Sequence, residues 1–277
     1  MLRIILLLSL GLLTLPGKSQ ETRVMTYNIR FDNPRDGADA WPERKEFLAN
    51  QVRFHAPLVM GVQEALKHQL DYIDQAFPNY RYIGVGRDDG LDGGEFSAIF
   101  YDQDQLKLKE SGTFWLSPTP EQPSKGWDAA LNRICTFGLF KPNRGKPFWV
   151  FNTHFDHIGE KARAESVRVI LQQIASKNTR KYPVILMGDL NLTPDSAPIR
   201  LLASVMKDTY TSGQHPPLGP DGTFTGFDWD AEVNRRIDYI FVSQEVQVIQ
   251  TAVLTDSQNQ HYPSDHFPVI SKLDLRD

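Results

Sequence analysis

Asp189 and Asn191 stand two positions apart, directly after the apolar run Val184 to Met187 and Gly188. In extended backbone, residues two apart point to the same side. A carboxylate and an amide are thus presented together at the mouth of a buried strand. That pair suits a hard divalent cation or a water held beside a phosphate; it also suits an Asx turn that closes the strand. Glu64 follows the apolar segment Pro57 to Gln63, a place for a metal ligand and equally for the first residue of a helix. His154 ends the strand segment with Asn152 two residues before it. His157 lies three further on, but a zinc site needs a third nitrogen or thiolate, so His154 reads as an acid, a base or an oxyanion stabiliser. Asn28 is a polar amide among β-formers, either a core amide with partners of its own or a group that positions a metal-bound carboxylate. Asp238 interrupts an apolar frame, and Ser264-Asp265-His266 precedes the last apolar run. Arg133 follows the long loop Ser117 to Asp128; it either pairs with Asp128 or faces a phosphate. Trp127, on that loop, is a candidate contact for the non-phosphate part of a substrate.

These groups need strands that end together. Period-two and apolar runs predict strands over 23–31, 57–63, 80–85, 96–101, 106–116, 133–140, 147–153 and 184–187, another entered over 235–240, and a closing one over 269–273. Helical spacing and N-terminal signals predict helices over 41–54, 66–77, 160–177 and 197–204. The loop 32–40 reads as solvated turns, and 212–230, with Phe224, Phe227 and Trp229, as a rim or lid.

With 277 residues, 40% of them hydrophobic, the chain can bury a sizeable core. Its formal charge of −4 argues against a broad basic face for duplex nucleic acid. Cys135 is the only cysteine; it sits in the apolar run 134–140 and reads as a buried thiol, so no intramolecular disulfide forms. No serine or cysteine stands in a recognisable nucleophile frame. Residues 1–19 read as a signal peptide: Arg3, an apolar run from Ile4 to Leu15, and small Gly17 and Ser19 before Gln20. The run is too short to span a membrane. The expectation is an exported chain, periplasmic or extracellular, with one domain over 20–277 and acting as a monomer.

Taken in order, Asn28, Glu64, Asn152-x-His154, Gly188-Asp189-x-Asn191, Ile237-Asp238-Tyr239 and Ser264-Asp265-His266 resemble the endonuclease/exonuclease/phosphatase superfamily of DNase I-like phosphohydrolases. The similarity runs from about Thr22 to Leu275 and looks closest to exported bacterial members. The resemblance implies a four-layer α/β sandwich, two packed and mostly antiparallel sheets flanked by helices, with the site at the sheet ends. It implies that Glu64 binds Mg²⁺ or Mn²⁺ with support from Asn28 and Asp265, and that Asp189 and Asn191 orient the attacking water or the phosphate. His266, held by Asp238, would act as base or charge stabiliser. His154 would stabilise phosphorane-like charge, with Asn152 and Arg133 near the substrate. The implied activity is a Mg²⁺-dependent phosphohydrolase, foremost a phosphodiesterase or nuclease using in-line water. The alternatives are a phosphatase, a sphingomyelinase-type phosphodiesterase, or a non-catalytic binding protein on the same fold. The partner would be a phosphoester, either a single-stranded nucleic acid or a small phosphodiester. Leu192 stands where inositol 5-phosphatases carry an Arg, and Arg236-Ile237-Asp238-Tyr239 replaces their Asp-Arg motif, which counts against that branch.

Overall fold

The computed structural model describes residues 21–275. The expected leader over 1–19 lies outside the described residues. Strand β1 (Thr22–Asn28) leads through a 3-10 helix (Pro34–Asp39) and α1 (Trp41–His55) to β2 (Val59–Gln63). Next come α2 (Lys67–Ala76), β3 (Tyr80–Ile83), β4 (Ile99–Asp102), β5 (Leu106–Trp115), β6 (Ile134–Pro142) and β7 (Phe148–His154). The chain continues with α3 (Glu160–Lys177), β8 (Val184–Asp189), α4 (Ala197–Val205), β9 (Lys207–Asp208), β10 (Asp238–Val242), β11 (Gln247–Val253) and β12 (Val269–Asp274).

Two six-stranded sheets form, in the orders β11-β12-β1-β2-β4-β3 and β5-β6-β7-β8-β10-β9. Each is mixed, with a single parallel pairing: β1 with β2, and β7 with β8. Parallel neighbours cannot be joined by a hairpin and need a crossover of a dozen or more residues. α1 and α3 are those crossovers. The consequence reaches the site, because two parallel strands deliver their C-terminal residues to the same edge of a sheet.

Alternation along the strands sorts the side chains into three cores. Val24, Val59, Ile185, Met187 and Ile240 face the space between the sheets. Met25, Tyr27, Met60 and Val62 face outward against Leu48 and Val52 of α1 and Leu70 and Ile73 of α2. On the other side, Phe151, Leu186 and Phe241 pack on Val167 and Ile170 of α3 and Ile199 and Leu202 of α4. Each such side chain contributes about 1.5–3 kcal/mol when fully buried. The layers are therefore helix, sheet, sheet, helix, the four-layer α/β sandwich expected. Among the described residues no helix is long and apolar enough to cross a membrane.

Two strands fall outside the sequence expectation. β9 has two residues, too few for any periodicity. β11 carries a register shift between Val248 and Gln250, and such a bulge breaks the period-two signal. The loop 32–40 is also more ordered than expected: Asp36 is not a solvated turn residue but takes the Arg30 guanidinium on both carboxylate oxygens, at 3.0 and 3.1 Å.

Candidate active site

The second sheet presents a row. His154 lies opposite Asp189 across the parallel β7–β8 pairing, and Asp189 lies opposite Asp238 across β8–β10. Three strands thus end on three ionisable side chains side by side. The first sheet faces them with Asn28, paired in register with Gln63 at the end of β2, so that Glu64 comes next. The segment before β12 then brings Asp265 and His266 between the two sheets' ends.

Local backbone explains why these residues sit where they do. Gly188 has φ 148°, and a Cβ there would lie 2.0 Å from the Thr153 carbonyl oxygen of the neighbouring strand. Only glycine lets β8 approach β7 this closely. Glu64 and Asn191 both adopt left-handed backbone, φ 63° and 47°. For a non-glycine residue that costs of order 1 kcal/mol, and such strain gathers at functional sites. The Arg44 guanidinium, nearly buried, donates to the carbonyls of Ile29 and Pro263 at 2.7 and 3.0 Å and of Arg30 at 2.8 Å. It pins the loop after β1 to the segment that carries Asp265. Gln69 adds a second clamp, accepting from the Asp32 amide and donating to the Arg30 carbonyl.

The contacts form one network. Asn28 Nδ2 donates to Glu64 Oε1 at 3.1 Å and to Asp189 Oδ2 at 3.0 Å, while its Oδ1 accepts the Arg30 amide. Asp189 Oδ1 accepts the Asn191 amide at 2.9 Å. Its Oδ2 also lies 3.4 Å from His154 Nε2 and 3.8 Å from His266 Nε2. Asn191 Nδ2 sits 3.1 Å from His154 Nε2 and donates to the Phe155 carbonyl. His266 Nδ1 is 2.8 Å from Asp238 Oδ2, which also accepts the Thr223 hydroxyl at 2.6 Å. The Phe224 ring stands edge-on to His266 with centroids 5.0 Å apart.

Two histidines a short distance apart are held in opposite states. Burial, then the Arg133 and Arg87 charges, pushes His154 well below the usual histidine range, so it is neutral. Burial would do the same to His266, but the Asp238 carboxylate and then Asp189 and Asp265 overcome it and push His266 up to about 10. Burial and the adjacent Asp238 raise Asp189. Burial, with Glu64 nearby, raises Asp265.

The donor set fits a hard divalent cation. Glu64 and Asp265 offer oxygen donors of the kind Mg²⁺ and Mn²⁺ take, and no thiolate is near. Asn28, expected from the sequence beside them at the metal, turns its Nδ2 to Glu64 and its oxygen to the Arg30 amide, so it positions the Glu64 carboxylate rather than ligating an ion. Asp265, nearly buried, has as its cationic contact the Arg30 guanidinium at 3.8 Å, too long for a strong pair. A second group, Asp189, Asp238 and His266, also lies within metal-binding spacing. Both nitrogens of His266 already face carboxylates, and a charged imidazole is no ligand. His266 is occupied by Asp238 and faces Asp189, which leaves Glu64 and Asp265 as the carboxylates available to an ion.

The cavity over this network measures about 440 Å³. Glu64, Asp265, His154, Asp189, Asn191, His266 and Arg133 line it, together with Arg30, Glu95, Leu131, His157, Phe224 and Arg235. Asn28 and Asp238 stand behind it as supports. Two sequence-based assignments need correction. Asn152 does not reach substrate: it is fully buried, donates to the Val62 and Ala98 carbonyls and accepts Gln63 Nε2, tying one sheet to the other. Trp127 is not among the cavity-lining residues. Arg133 does not pair with Asp128, though it lines the cavity. Its Nε meets Asp156 Oδ2 at 3.3 Å and its Nη2 meets His157 Nδ1 at 3.0 Å, whereas Asp128 caps α3 through the amides of Lys161 and Ala162. Arg133 Nη1 is buried without a partner among the described residues. Phe224, expected in a rim or lid, stands on the cavity wall. Sequence reasoning missed Thr223, Arg44, Arg87 and Glu95. Only the last two carried a signal, lying in and directly after the Gly- and Asp-rich loop 86–94.

Residues 25–266 match the model of a family described as Endonuclease/Exonuclease/phosphatase family. A mannosyl-6-phosphatase of Bacteroides thetaiotaomicron is 42% identical with a TM-score of 0.87, covering 91% of this chain and 99% of that one. An endonuclease/exonuclease/phosphatase family protein from the same organism is 41% identical with a TM-score of 0.89, over 94% of this chain and 99% of that one. An uncharacterised protein of Acanthamoeba polyphaga mimivirus is 29% identical over 161 residues, 54% of this chain and 59% of the viral protein's length.

Proposed function

Because the chain belongs to the endonuclease/exonuclease/phosphatase family and is a phosphoester hydrolase, we propose that it is a Mg²⁺- or Mn²⁺-dependent phosphomonoesterase releasing phosphate from a small phosphorylated sugar. The observation that carries this reading is the cavity. Its volume of about 440 Å³ is that of a small-molecule site, and Arg30, Arg133 and Arg235 line it. A monoester dianion needs more neutralisation than a diester, which holds one charge, and guanidinium is the group suited to it. The similar mannosyl-6-phosphatase supports the choice of a sugar. The phosphodiester or nuclease expected from the sequence ranks second, since a long acidic strand gains nothing from a cavity of this size in an acidic chain.

A cation held by Glu64 and Asp265, when bound, supplies a Lewis acid at a non-bridging phosphate oxygen. Asp189, raised toward neutrality, takes the proton of the attacking water at Oδ2, the oxygen on which Asn28, His154 and His266 converge. Asn191, donating toward His154 Nε2, holds the neutral imidazole in place on the cavity wall beside Asp189. The His266 imidazolium neutralises charge on the phosphoryl group as it builds, with Asp238 keeping it protonated. Water attacks phosphorus directly, without a covalent intermediate; the P–O bond to the sugar breaks, and the proton taken up by Asp189 balances the one the departing sugar oxygen gains.

The test is a substrate panel: mannose 6-phosphate, glucose 6-phosphate, p-nitrophenyl phosphate, bis-p-nitrophenyl phosphate and short single-stranded DNA and RNA, each with Mg²⁺, Mn²⁺ or EDTA. The expected result is a kcat/KM for sugar 6-phosphates at least about tenfold above that for any diester, a difference of about 1.4 kcal/mol in transition-state binding. A higher value on the diester or the single strands overturns the monoesterase reading.

A further inference from the structure

We propose that Glu95, held by Arg87, determines specificity by binding a hydroxyl group of the sugar. This rests on the phosphomonoesterase reading above and names which residues read the non-phosphate half of the substrate.

The loop that ends in Glu95 is built rather than slack. The Asp89 carboxylate accepts the amides of Leu91 and Gly93 at 2.8 and 2.9 Å. A Cβ on Gly86 would lie 2.2 Å from the Gly93 carbonyl oxygen, so the two sides of the loop touch backbone to backbone. At its neck the Arg87 amide donates to the Glu95 carbonyl at 3.1 Å, and Arg87 Nη1 meets Glu95 Oε2 at 2.6 Å. Arg87 is itself buried, and its carbonyl accepts the indole N–H of Trp115 at 2.8 Å. The next residue, Phe96, donates to the Ala65 carbonyl at 2.8 Å. Glu95 is therefore fixed beside the Glu64–Ala65 segment, on the cavity wall.

What such a carboxylate can bind is limited by its neighbours. A charge-assisted bond to guanidinium already satisfies Oε2, so the group is a poor cation ligand. A carboxylate repels phosphate. Its Oε1 takes no hydrogen bond among the described residues and is left as an acceptor for a bound group. A sugar hydroxyl donates one hydrogen bond and can give it to this oxygen. Leu131, 40% exposed, adds an apolar patch for the C–H face of a ring. An acceptor and an apolar patch near a phosphate site make a reader of hydroxylated, uncharged groups.

The experiment compares wild type with Glu95→Gln on mannose 6-phosphate and p-nitrophenyl phosphate, with melting temperatures for both proteins. Losing the charge on the acceptor should lower kcat/KM for the sugar about ten- to fiftyfold, chiefly through KM, and change the aryl phosphate by less than about twofold. A second arm uses wild type alone with the 2-, 3- and 4-deoxy derivatives of mannose 6-phosphate. One of them should show the same loss, and Glu95→Gln should no longer discriminate against that one. Equal losses on the sugar and the aryl ester, or a wild type indifferent to every deoxy position, overturn this inference while leaving the phosphomonoesterase reading intact. A wild type that hydrolyses p-nitrophenyl phosphate but no sugar phosphate, or neither, overturns both.

Discussion

His266 keeps its proton because Asp238 faces Nδ1 at 2.8 Å in a buried site, and Thr223 holds Asp238 in turn at 2.6 Å. This arrangement makes Asp238→Asn a sharp test. The amide keeps the shape but removes the charge that raises the imidazole, so kcat should fall about 10²- to 10⁴-fold with little change in melting temperature. Because Asp238 acts through His266, Asp238→Asn combined with His266→Ala should be no slower than His266→Ala alone. Additive losses would mean that Asp238 has a role of its own. Asn152 is the opposite case, a residue whose work is structural. Asn152→Ala strands two buried carbonyls and Gln63, and should cost about 2–4 kcal/mol in denaturant unfolding with KM unchanged. A raised KM at unchanged stability would return Asn152 to the substrate.

At the level of elements, the segment between β7 and α3 carries the wall of the cavity, and Asp156 organises it. Its carboxylate accepts the amides of Ile158 and Gly159 at 3.0 and 2.8 Å and meets Arg133 Nε. Burial alone would raise its pKa; the Gly159, Ala130 and Ile158 amides and the Arg133 charge together hold it well below the usual carboxylate range. A carboxyl depressed in the fold stabilises fully above its unfolded value of about 3.9. That contribution is lost as pH falls below this value and through the folded one. Asp156→Asn should therefore lower the melting temperature by roughly 5–10 °C at neutral pH. The gap to wild type should narrow below about pH 4, where the wild-type group begins to lose its advantage. Thermal scans of both proteins from pH 3 to 7 measure this; a constant gap would assign the effect to packing alone.

For the whole molecule, two sheets that face each other bring Glu64, Asp189, Asp238 and Asp265 to one place with Arg30 and His266 to offset them. This excess of buried negative charge is the reason a cation belongs there. Stripping divalent ions with EDTA should abolish hydrolysis and lower the melting temperature, and millimolar Mg²⁺ or Mn²⁺ should restore both, since an ion bound only by the folded state stabilises it by mass action. Full activity in EDTA would remove the metal from the proposal. Export is likewise a proposal, resting on residues 1–19, and N-terminal sequencing of the protein outside the cytoplasm should read from Gln20.

Order along the chain was enough to identify the family and, with it, the layered fold. Strand-end residues are legible because an apolar run followed by Glu64, His154 or Asp189 breaks the pattern at the point where a strand leaves the core. Type and position on the chain could not separate a group that faces the cavity from one that faces the other sheet. Asn152 and His154 are two residues apart on one strand, yet one ties the sheets together and the other meets Asn191 and Asp189. Nor could they pair Arg133 with Asp156 rather than Asp128, both of which lie within the reach of a loop. Thr223 and Arg44 carry no mark at all in the sequence, because their roles come from partners far away along the chain: Asp238 and Pro263. Hydrophobic periodicity encodes which face of an element is buried; which polar groups then meet across the gap is decided only when two sheets close over them.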